Sequence, residues 1–374
     1  RDRRSLALLV VAPLVIVALL GWVLRDQKQA SVEILVVNQA GVVGDRVVSA
    51  LQAAATDADN GTGVGTADSR DAAVEALKNG QADLALVIPS SFLADATAGK
   101  SPVLTIITEG TDPAAEGGAF ASLQSLLPAV ARSIAPAGVT PPIVPTVQRE
   151  TVYLSPSADQ LDVLAPVFLG LFAYFFVFIL TGVSFLRERV GGTLERLLAT
   201  PVTRGEIVVG YSLGFSVFAT VQVLIMTLYV LGRLDIPTIG PIGAFTIGLN
   251  VQSTGSPLIA FFVAFLLAVG AVNLAIFLST FARTELQIVQ FIPIVIVPQG
   301  LLGGIFWPID RLPDVLQWIA HVLPVTYAVD ALREVMLKGA DIGNAAVQTD
   351  LLVLVGIAVV FVVLASLTIK REVA

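Results

Sequence analysis

Six apolar runs constrain this chain more than any motif in it: Ser5–Leu24, Leu161–Leu186, Gly205–Gly232, Pro257–Phe281, Leu286–Gly304 and Leu351–Ile369. Crossing about 30 Å of hydrocarbon takes roughly 20 helical residues, and each run is of that order. A backbone in lipid must satisfy its own hydrogen bonds, so such runs read as helices. Composition agrees, with 55% hydrophobic and 14% charged residues, where soluble domains carry roughly 25% charge. The expected fold is an α-helical polytopic membrane protein with six transmembrane helices, and the lipid bilayer is its first partner. A net charge of −7 argues against a nucleic-acid partner. The absence of cysteine removes disulfides, thiolate metal sites and cysteine nucleophiles.

The first run has a competing reading as a signal peptide, because Arg1, Arg3 and Arg4 precede it. Its length, the lack of a small-residue cleavage site and Trp22 as an interfacial anchor favour a retained span (residues 1–24). The sequence starts without methionine, and a cytoplasmic piece ahead of it is expected. Basic residues set the orientation. Arg1, Arg3, Arg4, Arg187, Arg189, Arg196, Arg204, Arg283, Lys370 and Arg371 crowd into short connections, whereas the two short loops on the other side carry only Arg233, Arg311, Arg333 and Lys338. Positive charge stays inside, so both termini are expected in the cytoplasm and residues 25–160 outside, at a cell membrane.

Residues 25–160 read as an inserted extracellular α/β domain. Strands are expected at Ser31–Val37, Leu84–Ile88, Val103–Thr108 and Val147–Leu154, and helices at Val42–Ala54, Ser69–Asn79, Ser91–Ala98 and Ala114–Ile134. A Pro-rich linker, PAGVTPPIVP, precedes the last strand. Ala94–Ser101 (ADATAGKS) imitates a phosphate-cradling loop, but Ala94 replaces the first glycine and a helix precedes it, so it is set aside. Gly61-Thr62-Gly63-Val64-Gly65 lacks the dinucleotide spacing and reads as a flexible turn.

Nothing in the chain resembles an active site. The single histidine, His321, has no ligand spacing around it. No G-x-S-x-G elbow and no paired carboxylates occur in an expected span. No metal, cofactor or catalytic residue is expected in this chain, and uphill transport would draw energy from a partner or an ion gradient.

Residues 187–204 (RERVGGTLERLLATPVTR) lie where the chain turns round on the basic side. The helix is expected to continue through Arg187-Glu188-Arg189 and to break at Gly191-Gly192. Thr193 would then cap a new helix. Val190, Leu194, Leu197 and Leu198 share one face, while Glu188, Glu195 and Arg196 point elsewhere. Thr200-Pro201 stops it. Two readings stand: an interfacial helix on the headgroups, or a knob that docks in another protein.

The string E-R-x-G-G-T-L-E-R-L-L-A-T-P-V from Glu188, followed by Arg204-Gly205-Glu206, resembles the signature of the ABC transporter type-2 permease family. Further likenesses are Phe281-Ala282-Arg283-Thr284-Glu285 to the family's turn after the fourth span, and Gly303-Gly304-Ile305-Phe306-Trp307-Pro308 with Leu312-Pro313 and Trp318 to its outer hairpin. Leu323–Arg333 resembles the segment before the last span, and Arg1–Ser5 with Pro13 the start of the first, where an amphipathic cytoplasmic helix normally comes first. The large outer domain suits the branch of drug and small-molecule exporters. The resemblance implies a half-transporter that pairs with a second permease, identical or paralogous, and with two cytosolic ATPase subunits, which bind ATP and Mg. Glu188, Gly192, Thr193, Leu194, Glu195, Arg196, Leu197, Leu198, Thr200 and Pro201 would couple to those subunits.

A transport path between two permeases would be offered Phe168, Phe172, Phe175 and Phe176 by the second span and Gln287, Gln290 and Gln299 by the fifth. The phenylalanines fit packing or lipid contact equally, whereas intramembrane amides tend to face a bundle interior or water. Residues 303–324, rich in Pro, Trp and Gly, cannot span as regular helix and read as an outer gate at Phe306, Trp307, Pro308, Pro313 and Trp318. The leading expectation is a permease for an amphipathic drug, antibiotic or lipid-like substrate in a bacterial membrane. The alternative is a membrane signalling or scaffolding protein whose outer domain binds a ligand or cell-wall component. An ion-coupled carrier is disfavoured because the spans hold no charged pair.

Overall fold

The computed structural model of the chain describes residues 14, 16–22, 32–58, 61–98, 100–111, 113–134, 146–154, 158–237, 245–305, 309 and 312–369. They form two compact units, residues 28–158 and residues 1–27 with 159–374.

Unit 28–158 is an α/β sandwich. Its elements run β1 (Val32–Asn38), α1 (Val42–Ala58), β2 (Thr62–Ala67), α2 (Arg70–Lys78), β3 (Leu84–Ile88), α3 (Phe92–Thr97), β4 (Val103–Thr108), α4 (Pro113–Ile134) and β5 (Thr146–Thr151). The sheet order is β2-β1-β3-β4-β5. Strand β1 lies parallel to β2 and β3, and β4 antiparallel to β3 and parallel to β5. The alternation of β1 sends Val32, Ile34 and Val36 into a core with α1 and α4, and Val37 into one with Ala73 and Leu77 of α2. Ser69 accepts from the Ala72 N–H and caps α2.

One expectation fails here. The 61–65 stretch is not a flexible turn, because Thr62–Ala67 forms edge strand β2, with Gly63 opposite Glu33 and Gly65 opposite Leu35. A Cβ at Gly63 would sit 2.3 Å from the Glu33 carboxylate, so the glycines make room for side chains of β1. The Pro-rich linker lies outside the described residues.

Gly44, buried in α1, carries a prediction of unusual sign. Gly→Ala inside a helix ordinarily stabilises by about 1 kcal/mol. Here the new Cβ would land 1.8 Å from Asn38 Oδ1. That amide accepts from the Ala40 N–H and donates to Gly41 O and Asp45 Oδ1. Gly44→Ala is therefore expected to cost about 1–2 kcal/mol through lost hydrogen bonds, seen as faster amide exchange over residues 38–48 of the full chain.

The other unit is helical: α5 (Gln160–Val190), α6 (Thr193–Leu198), α7 (Arg204–Leu231), a small hairpin of β6 (Leu234–Ile236) and β7 (Phe245–Ile247), α8 (Pro257–Ser279), α9 (Glu285–Leu302), α10 (Asp314–Ala320), α11 (Pro324–Met336) and α12 (Ala345–Thr368). Helices α5, α7, α8, α9 and α12 are each long and apolar enough to cross a membrane. Of the first expected span only residues 14 and 16–22 are described; they are helical, and Leu19 and Leu20 pack against the cluster of Leu301, Leu302, Leu312, Leu316 and Ala320. Helices α10 and α11 meet at a 78° bend, which breaks what would otherwise be one span.

Helix α8, PLIAFFVAFLLAVGAVNLAIFLS, has no charged residue and supplies much of the core against α5, α7, α11 and α12. Close approach is achieved with glycine: a Cβ at Gly170 would meet Leu332 at 3.2 Å, and one at Gly182 would meet Ile288 at 3.1 Å. Asp159 and Asp162 form a capping box at the start of α5. Asp162 Oδ1 also accepts from the Gln252 N–H at 2.8 Å, pinning the segment before α8. In the β6–β7 hairpin the Thr246 hydroxyl, with Arg233, holds the Asp235 carboxyl below its usual range.

Candidate functional site

Helix α5 runs on through Arg187-Glu188-Arg189 and ends with Gly191 as its C-cap residue. Gly192, at φ +75°, takes the left-handed conformation that turns the chain into α6. Two details differ from expectation. Thr193 is the first residue of α6 rather than its cap; Gly192 holds the cap position, with no side-chain bond, because only glycine makes that turn cheaply. Val190 belongs to the end of α5 and is 67% exposed, so it is not part of the α6 apolar face.

The faces of α6 are unequal. Leu194 is 3% exposed and belongs to the main helical core with Phe185 and Ile207. Leu198 is half-buried, while Glu195, Arg196, Leu197, Thr200 and Pro201 are exposed. The Thr200 hydroxyl donates to Leu197 O and closes the helix end. Thr203 and Glu206 then form a capping box that starts α7. An open groove of about 500 Å³ lies along this start, lined by Leu197, Val202, Glu206, Tyr211, Phe215 and Phe218.

The basic end of α5 grips the turn between α8 and α9. Arg187 Nε donates to Glu285 Oε1 at 2.7 Å and its Nη2 to Glu285 Oε2 at 3.2 Å. The Arg189 guanidinium donates to the backbone oxygens of Thr280 and Ala282. Arg283 N–H donates to Gln287 Oε1 at 2.7 Å. Sequence reasoning used these arginines to orient the chain and, for Arg189 and Arg283, as part of the family resemblance, and missed their partners.

The phenylalanines and the amides lie apart. Phe168, Phe172 and Phe176 make an exposed row on α5 with neighbouring ring centroids 5.9 and 6.1 Å apart; Phe175, half-buried, meets Phe176 edge-on. Gln287, Gln290 and Gln299 are buried. Gln299 Nε2 donates to the Tyr174 hydroxyl at 2.7 Å, and Gln299 Oε1 accepts from the Val325 N–H at 3.1 Å. Tyr174 is two residues from both Phe172 and Phe176, hence on the other side of α5.

Of the expected outer gate, Phe306, Trp307 and Pro308 lie outside the described residues. Pro313 is the residue before α10, and Trp318 on α10 is 79% exposed. The fold around them is tied by Arg333 Nη1 to Gly304 O, the Thr326 hydroxyl to Ala320 O and the Tyr327 hydroxyl to His321 O. His321 is exposed, and its Nδ1 lies 2.6 Å from Gln317 O. No cluster of three metal-ligating side chains occurs among the described residues.

A bundle of apolar helices with a short, half-seated amphipathic helix at its basic end defines a polytopic membrane protein of the permease type. The chain belongs to the ABC-2 transporter family: the family profile described as ABC-2 family transporter protein matches residues 3–367. It is 24% identical over 381 residues to the probable multidrug ABC transporter permease YbhS of Escherichia coli strain K12, covering all of this chain and 93% of that one. It is 27% identical over 221 residues to the linearmycin resistance permease protein LnrN of Bacillus subtilis strain 168, covering 59% of this chain and 52% of that one. It is 29% identical over 222 residues to ABC transporter G family member 20 of Dictyostelium discoideum, covering 59% of this chain but only 28% of that longer protein.

Proposed function

We propose that this chain is the membrane-spanning permease subunit of an ATP-driven exporter that moves an amphipathic drug, antibiotic or lipid-like substrate out of a bacterial cell. Its termini and α6 lie in the cytoplasm, and unit 28–158 lies outside. A second permease completes the pathway. Two separate cytosolic ATPase subunits, carrying ATP and Mg, dock on α6 through Glu195, Arg196 and Leu197. The multidrug and linearmycin-resistance names of the relatives support the substrate class. The division of α6 carries the docking reading: Leu194 anchors it in the bundle, while Glu195, Arg196 and, one turn on from Leu194, Leu197 are exposed.

The test is a pull-down of the tagged full chain from its native membrane, comparing wild type with Glu195→Ala/Leu197→Asp and assaying the eluates for ATP hydrolysis. Wild type is expected to bring down an ATPase, with activity at least tenfold above the variant. Folded protein with no ATPase in either eluate would overturn the exporter reading and leave the ligand of unit 28–158 as the next question.

A further inference from the structure

The grip of α5 on the α8–α9 turn is poorly suited to be a stability device. The Arg187 and Glu285 side chains are 67% and 54% exposed, and exposed ion pairs contribute about 0–1 kcal/mol. The geometry is nevertheless specific. The guanidinium meets the carboxylate through two parallel bonds, an arrangement that fixes orientation as well as distance. Four residues before α6, Arg189 supplies donors to Thr280 O, at the C-cap of α8, where helix carbonyls lack a partner further along, and to Ala282 O in the turn that follows. Three helices are thus fastened at one corner, next to the segment on which a partner would act.

Helix α9 starts at that corner with Glu285, and its far end is fastened too. Gln299 binds Tyr174 of α5 and the N–H of Val325, in the first turn of α11. Between the two fastened ends stand Pro293 and Pro298. Each proline removes one intrahelical hydrogen bond and localises bending.

We infer that Arg187, Arg189 and Glu285 are positioning residues that transmit displacement of α6 through α9 to the α10–α11 segment. This rests on the reading of the chain as an ATP-driven permease. A shift of the basic end of α5 drags Glu285 with it. The proline turn converts that shift into a swing of the outer half of α9. Gln299 passes the swing to Val325. Breaking the Arg187–Glu285 pair separates movement at α6 from movement at α10, with little effect on folding or on partner binding.

The chain contains no cysteine, so a single introduced one is the only site on this chain for a nitroxide, attached before the ATPase is added back. Two single-label proteins, Val202→Cys beside α6 and Val315→Cys on α10, are prepared as the full chain and recombined with its co-purified ATPase. Electron paramagnetic resonance spectra are recorded without nucleotide and after trapping with ATP and vanadate. Both labels are expected to respond in the otherwise unaltered chain. With Glu285→Gln the Val202 label still responds, whereas the Val315 response falls at least threefold; the exchanged pair Arg187→Glu/Glu285→Arg restores it. Arg187→Lys keeps the charge but loses the fork, and an intermediate response is expected; it serves in place of Glu285→Gln should that protein not assemble. A Val315 response that ignores these variants, is silent in the unaltered complex, or stays lost in an exchanged pair that still binds the ATPase overturns the inference. Failure of any ATPase to co-purify would instead defeat the exporter reading on which it rests.

Discussion

Replacing Gln299 with leucine is expected to destabilise the helical unit by about 2–6 kcal/mol, because two buried polar groups then lose their partner at roughly 1–3 kcal/mol each. Gln299 is 2% exposed, and leucine of similar volume fills its space without restoring either bond. The Val325 N–H matters most. It lies in the first turn of α11, where backbone donors have no carbonyl within the helix, and Gln299 caps it from another helix. The Tyr174 hydroxyl, fully buried on α5, loses its donor at the same time. Thermal unfolding of the full chain in detergent should fall by roughly 5 °C or more. Tyr174→Phe alone should cost less, and adding it to Gln299→Leu should cost less than the sum, since the hydroxyl it removes is already unpaired. An unchanged midpoint for Gln299→Leu would show that the amide does not hold α9 to α11.

The second large effect is expected at Leu194. An aspartate there would lose the buried leucine contacts and place an unpaired charge in the core, at a cost of about 3–5 kcal/mol. The damage should stay local, because α6 is six residues long and bounded by Gly192 and Pro201. Amide exchange over residues 191–203 should accelerate while α8 stays protected, and any bound ATPase should be lost more than tenfold. Leu197→Asp separates seating from docking. That side chain is 37% exposed, so exchange should remain as in wild type while the partner is lost. Equal exchange in the Leu194→Asp and wild-type chains would show that α6 is not anchored through that residue.

The apolar runs located α5, α7, α8 and α9 to within a few residues, because lipid solubility and helix formation coincide there. They diverge at α12, which starts at Ala345 where hydropathy suggested Leu351. Asn344 caps the helix through the Ala346 and Val347 N–H groups, and its first turns are polar, so a measure of apolar content begins too late. In unit 28–158 the strands β1, β3 and β4 were legible. Strand β2 was not, since Gly63 and Gly65 carry no β preference and are there to accommodate Glu33 and Leu35 across the sheet.

The extent of α6 followed from Gly191-Gly192 and Pro201, but which leucine is buried depends on what it packs against. The ties at Gln299 and Arg187 span 125 and 98 positions in the chain. No local pattern encodes pairings of that range. The F-A-R-T-E turn was singled out by resemblance, without indicating that its glutamate holds an arginine of α5.

Helix α5 is 31 residues long, or about 46 Å at 1.5 Å per residue. Counted from Val163, just past the buried Asp162, 30 Å of hydrocarbon is crossed after roughly 20 residues, close to Val183. A tilt of about 20° extends that by only one or two residues. The last turn and the whole of α6 therefore stand clear of the acyl chains, in the watery layer beyond. On the proposed reading, a protein arriving from solution reaches α6 without any lipid affinity of its own, and its occupancy should follow its concentration and the ionic strength.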